Sequence, residues 1–118
     1  MAIHNDLGKE GELLAAKWLA ERGYKLLYRN WKYKYHEIDI IALKNEILHI
    51  VEVKARNASQ FGFPEDSVTK KKFRFLKSAA HEFLFRHPGY KWLQYDILSI
   101  TIHKDGKKDF YFLEDVFL

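Results

Sequence analysis

Two apolar runs, residues 36–43 (HEIDIIAL) and 47–54 (ILHIVEVK), stand on either side of Lys44-Asn45-Glu46, and both carry acids within the run. Short Ile- and Val-rich runs with a polar stop between them read as two strands of a hairpin. Strand side chains alternate between faces, so Glu52 and Lys54 share one face, with Cα atoms about 7 Å apart, and Val51 and Val53 take the other. Asp39 likewise stands between Ile38 and Ile40, with Glu37 on its own face. The two acid-bearing faces coincide only if paired residue numbers sum to an odd value. A sum of 91 sets Asp39 opposite Glu52, and a sum of 89 sets it opposite Ile50, diagonal to Glu52. An even sum separates the acids unless a bulge intervenes. Facing carboxylates repel, and that is bearable chiefly if a cation sits between them.

The remaining elements follow from periodicity. Leu7, Gly11, Leu14, Ala15 and Trp18 recur at helical spacing, which predicts a helix over about residues 5–22 with Gly23 as its stop. Residues 24–31 read as a strand, so three consecutive strands make an antiparallel meander. Residues 56–63 are polar and read as a loop, and Pro64, Glu65 and Asp66 suit the first turn of a helix running to about Arg86. His87-Pro88-Gly89-Tyr90 breaks that helix. Residues 92–102 form a β-rich run, and the turn at 104–107 leads to a last strand at 109–113. The order α-β-β-β-α-β-β, without repeat or linker, predicts one α/β domain over residues 1–118, a central mixed sheet flanked by helices.

Divalent-metal chemistry fits the charged residues of the hairpin. The chain has no cysteine, so a bound metal must be held by oxygen or imidazole. A hard cation such as Mg²⁺ or Mn²⁺ takes one or two carboxylates, here Asp39 and Glu52, with the Val53 backbone carbonyl as a further ligand. Lys54 then sits beside the reacting water and phosphate, where its charge stabilises the transition state. The plainer alternative is a salt bridge from Lys54 to the two acids on a solvated face. Glu12 shares a helix face with Gly8, Ala15, Ala16 and Leu19, a small, apolar face suited to close packing on a sheet. A carboxylate at the edge of such a face needs a partner, and the metal or Lys54 would serve.

The formal net charge of +4 favours a polyanionic partner. Lys70, Lys71, Lys72, Arg74 and Lys77 fall within eight residues, and Lys32 and Lys34 alternate with Trp31, Tyr33 and Tyr35. Cations can neutralise phosphates, and exposed aromatics offer base-stacking surfaces. The alternative is a solvated helix face and an ordinary aromatic core. No run is long enough to span a bilayer and the first residues lack a signal-peptide pattern, so a cytoplasmic location without membrane association is expected.

Asp39, followed after twelve positions by Glu52-Val53-Lys54, has the D-x(n)-E-x-K form of the PD-(D/E)xK nucleases. More widely, the sequence resembles the bacterial YraN-like family, also called UPF0102. The resemblance lies in GKEGELLAAKWLAERGY (8–24), RNW (29–31), EIDIIA (37–42), VEVKAR (51–56), FGFPEDSVTKKK (61–72) and QYDILSI (94–100). It implies a restriction-endonuclease-like fold similar to archaeal Holliday-junction resolvases and a divalent-metal-dependent nuclease. Glu12, Asp39, Glu52 and Lys54 match the implied catalytic positions. His36 departs from the family pattern, which has glycine before Glu-Ile-Asp. These expectations point to an endonuclease hydrolysing DNA, with branched or structured DNA as a substrate by analogy and a homodimer suited to paired cuts. The rival expectation is a nucleic-acid-binding or interaction module with little intrinsic catalysis.

Overall fold

The computed structural model describes residues 3–58 and 68–117, the side chains of residues 3–6 excepted. The elements are α1 (Ile3–Glu21), β1 (Lys25–Tyr33), β2 (His36–Lys44), β3 (Ile47–Asn57), α2 (Lys70–Arg86), β4 (Trp92–Ile102) and β5 (Lys108–Leu113). This is the predicted order. The strands form one sheet, β1-β2-β3-β4-β5, antiparallel except for the parallel pair β3 and β4. The mixed sheet with its two helices is consistent with a restriction-endonuclease-like arrangement.

Helix α1 buries Gly11, Ala15 and Leu19, one residue every fourth position, against Ile40, Ala42, Val51, Leu98 and Ile100. Gly23 ends it with φ at +89°. The Gly23 amide donates to the Ala20 carbonyl at 3.2 Å and the Tyr24 amide to the Leu19 carbonyl at 3.1 Å, a Schellman stop. Helix α2 packs Phe73, Leu76, Ala79, Ala80 and Phe83 on the other face, against Ile38, Ile41, Leu48, Ile50 and Ile97. Each face of the sheet therefore carries its own apolar cluster. At the far end of the sheet, the buried His49 Nδ1 lies 2.7 Å from Asp96 Oδ2, and Asp96 Oδ1 accepts from Gln94 and from the Asp115 amide.

The β2–β3 turn sets the register. Asn45 and Glu46 both have left-handed φ, 51° and 67°, as a two-residue type I′ turn requires. Lys44 therefore pairs with Ile47 and Ile40 with Val51, and every pair sums to 91. Two boundaries depart furthest from expectation. β3 extends to Asn57, beyond residue 54, because its parallel partner continues: Arg56 pairs with Thr101 and Asn57 with Ile102. Helix α2 begins at Lys70, where the Thr69 hydroxyl caps it by accepting the Lys72 amide at 3.1 Å. Residues 64–66, read as its first turn, lie outside the described residues.

Candidate functional site

The β2–β3 ladder stops at Ile40 and Val51, while β3 continues beside β4. The next antiparallel rung would have joined Ile38 to Val53. Instead the Val53 amide donates to Asp39 Oδ2 at 2.8 Å. The sheet thus forks where Asp39 and Glu52 face each other. Strand geometry turns the Val53 carbonyl to the same edge as its amide, into this fork. Side-chain alternation slips here: Ile38 joins the cluster around α2, and Ile40, two residues on, joins the one around α1. Opposite the slip, Asn30 of β1 has a left-handed φ of 55°. Asp39 therefore lies between the two faces, within reach of acids from both sides.

Helix α1 brings Glu12 there because its small face sits close on β3. A Cβ on Gly11 would come within 2.5 Å of the Ala55 Cβ, so only glycine allows this approach. Carboxylate oxygens of Glu12, Glu37 and Asp39 lie within 4.8 Å of one another. Glu37 was not among the expected site residues, although its sharing of a strand face with Asp39 was the available signal. Glu52 is 7% exposed and comes from the α2 side. Its Oε1 is 2.8 Å from Lys72 Nζ, and its Oε2 is buried without a hydrogen-bond donor. A proton shared with Asp39, a water or a cation would satisfy that oxygen.

Electrostatics are most perturbed at Asp39. Burial, then the Glu52 charge, push its carboxyl up to about 8, against the lowering effect of the Val53 amide. Glu12 and a side-chain hydrogen bond with Glu52 add to the rise. Such crowding favours either a proton or a bound cation. The orphaned Glu52 oxygen, the crowded oxygens and their hard donor character fit a divalent ion.

Lys54 is exposed on the Glu52 face and has no ion-pair partner among the described residues. The cation paired with Glu52 is Lys72, from the basic row, which thereby points into the site. Lys70, Lys71, Arg74 and Lys77 are exposed on α2. Lys71 and Lys77 lie over the Phe75 and Phe73 rings at 6.0 and 5.6 Å. His36 stacks on Phe75, centroids 3.9 Å apart, and so fastens the start of β2 to α2.

A mixed sheet clad by a helix on each face, with acids from α1, β2 and β3 gathered at a strand fork, defines an α/β protein with an anionic, cation-compatible site. The chain belongs to the Uncharacterised protein family UPF0102, whose profile matches residues 11–100. Among curated relatives, a UPF0102 protein of Flavobacterium johnsoniae is 44% identical over 91% of this chain and 89% of its own length. One from Syntrophomonas wolfei is 40% identical over 89% and 91%, and one from Clostridium perfringens 37% over 97% and 95%. None of the described helices is long and apolar enough to cross a membrane.

Proposed function

We propose that the chain is a divalent-metal-dependent nuclease that hydrolyses phosphodiester bonds of DNA. The observation that carries this reading is the Asp39–Glu52 pair at the fork: two acids from facing strands, one with a buried oxygen that lacks a donor, the other held at a pKa near 8. Asp39, Glu52 and the Val53 carbonyl would hold Mg²⁺ or Mn²⁺, with Glu12 or Glu37 at its edge. A bound ion would supply Lewis-acid neutralisation of charge on the phosphate. Lys54, exposed and without an ion-pair partner among the described residues, faces the solvent side of the site, where its ammonium can meet the charge that develops on the phosphoryl oxygens. The row of α2 cations positions the polyanion without reading its sequence.

The Lys72–Glu52 contact favours a second reading, in which Lys72 is the permanent counter-ion and the chain binds nucleic acid without cutting it. Incubating purified protein with single-stranded, duplex and four-way-junction DNA, in Mn²⁺ or EDTA, decides between them. The nuclease reading expects products in Mn²⁺ that vanish in EDTA and in Glu52→Gln. Binding without metal-dependent products from any substrate would overturn it.

A further inference from the structure

Tyr35 is 99% exposed, the most exposed of the large hydrophobic side chains in the described residues. An aromatic ring held wholly in water forgoes the burial that usually accompanies it and leaves its face open for stacking. Its position is specific. Tyr33 pairs with His36, leaving Lys34 and Tyr35 as the two-residue β1–β2 turn, with Lys34 at a left-handed φ of 56°. That turn is at the forked end of the sheet, because β2 leaves it toward Asp39. His36 stacks on Phe75 of α2, and Lys71 covers the same ring, so the hairpin is tied to the basic row. Of the other exposed rings, Trp92 pairs with Ile47 at the opposite end of the sheet, Phe85 is in the last turn of α2, and Tyr111, at 54% exposure, is on β5 opposite Ser99.

We infer that Tyr35 is a stacking platform for an unpaired base of a nucleic-acid strand whose phosphates run along the α2 lysines toward the acidic fork. The inference rests on the proposed nuclease reading for the location of the reacting phosphate, and it narrows the substrate to strands with accessible base faces. Inside an intact duplex both faces of a base are already stacked, so a protruding tyrosine has nothing to cover without unstacking it. Lys34 precedes Tyr35 in the turn, with its ammonium 5.3 Å from the Tyr33 ring centroid, and Lys32 is on the adjoining end of β1, so the hairpin tip carries the positive charge that would hold a phosphate backbone near it. Tyr35 precedes Asp39 by four residues, roughly 13 Å of extended strand. With steps of about 3.4 Å along a stacked strand, the covered base falls about four nucleotides from the reacting phosphate.

The test is anisotropy titration in EDTA of wild type, Tyr35→Ala and Tyr35→Phe with single-stranded DNA, duplex DNA of the same sequence and the corresponding RNA. Tyr35→Ala is expected to bind single strands roughly tenfold to a hundredfold more weakly and duplex within about twofold of wild type, while Tyr35→Phe keeps wild-type affinity. A 2-aminopurine base in the single strand should lose fluorescence on binding wild type but not Tyr35→Ala. An equal drop in affinity for duplex and single strand, a drop in Tyr35→Phe as large as in Tyr35→Ala, or unchanged affinity in Tyr35→Ala would each overturn the inference. Because metal is chelated, cleavage plays no part: Tyr35-dependent binding without cleavage in Mn²⁺ sinks the nuclease reading alone. Metal-dependent cleavage by a protein whose single-strand binding ignores Tyr35 sinks this inference alone. Tyr35-dependent binding of RNA but not DNA keeps the stacking platform and overturns DNA as the substrate.

Discussion

The Val53 amide donates to the Asp39 carboxylate at 2.8 Å, a side chain standing where a backbone rung between Ile38 and Val53 would have continued the hairpin. One carboxylate thus terminates a ladder and enters a site. The bond lowers the Asp39 pKa, but burial and Glu52 outweigh it. The site's acids are held in place by backbone geometry while their charges repel.

That repulsion has a pH signature. Asp39 keeps its proton in the folded protein up to about 8 but releases it near the ordinary 3.8 when unfolded. Between those values the folded state binds more protons, so its stability falls as pH rises through the window. Asp39→Asn removes this effect while retaining an acceptor for the Val53 amide. In the metal-free protein the variant should therefore gain on wild type between pH 4 and 8, by up to a few kcal/mol. Urea unfolding in EDTA at several pH values measures it, and a gain independent of pH would refute the cause. Addition of Mn²⁺ should stabilise wild type and not the variant.

Lys54 should separate binding from chemistry. Its side chain has no ion-pair partner among the described residues, so Lys54→Ala should keep wild-type stability and ground-state DNA affinity within a few-fold. Single-turnover cleavage should drop by on the order of a hundredfold, the scale of removing one electrostatic stabiliser. Wild-type cleavage by the variant would remove Lys54 from the proposed machinery.

Helix α2 places Lys70, Lys71 and Lys72 in its first turn, where the helix dipole is positive and cations are unfavourable. Lys72 is relieved by Glu52; Lys70 and Lys71 are not ion-paired among the described residues. The double variant Lys70→Glu, Lys71→Glu should stabilise the protein by roughly 0.5 to 2 kcal/mol. It should also weaken DNA binding and flatten the salt dependence by about 0.7 to 0.9 for each phosphate that a lysine no longer neutralises. A stabilised variant with unchanged DNA affinity would show that these lysines serve no polyanion.

Two glycines in α1 should behave oppositely. Gly8 has open space where a Cβ would go, so Gly8→Ala should stabilise by about 1 kcal/mol through helix propensity. Gly11→Ala gains the same propensity but collides with Ala55, and overpacking costs about 1 to 3 kcal/mol. Thermal melts should show the first variant raised and the second level or lowered. Because Glu12 is next in the chain, Gly11→Ala should also weaken Mn²⁺ binding by calorimetry, and Gly8→Ala should not.

The hairpin was the most legible part of the sequence. Alternation put Glu52 and Lys54 on one face, and a turn as short as Lys44-Asn45-Glu46 left few registers, of which 91 is the one formed. The α1 stop at Gly23 was equally plain, since a left-handed residue after the last apolar position has a local cause. What escaped detection depends on distant partners. Arg56 and Asn57 are polar and read as loop, yet β4 recruits them into the sheet. The Lys72–Glu52 contact joins elements twenty residues apart, and the slip between Ile38 and Ile40 breaks the alternation on which strand reading relies. Thr69 as the α2 cap was hidden by the better-looking Pro64-Glu65-Asp66.

The missing rung at Ile38 and Val53 also has consequences in time. Backbone groups facing a fork lack the cooperative protection of a closed ladder, so local opening there needs less free energy than opening beside Ile41 and Ile50. Amide exchange should be faster at Val53, whose amide bonds a side chain, than two residues back along β3 at Val51, the last rung of the ladder. A ligand that bridges the two strand ends closes this loosest joint, and part of its binding free energy is read out as slower exchange and a higher melting temperature. The segment that breathes most readily is thus the one a ligand bound at the fork would order.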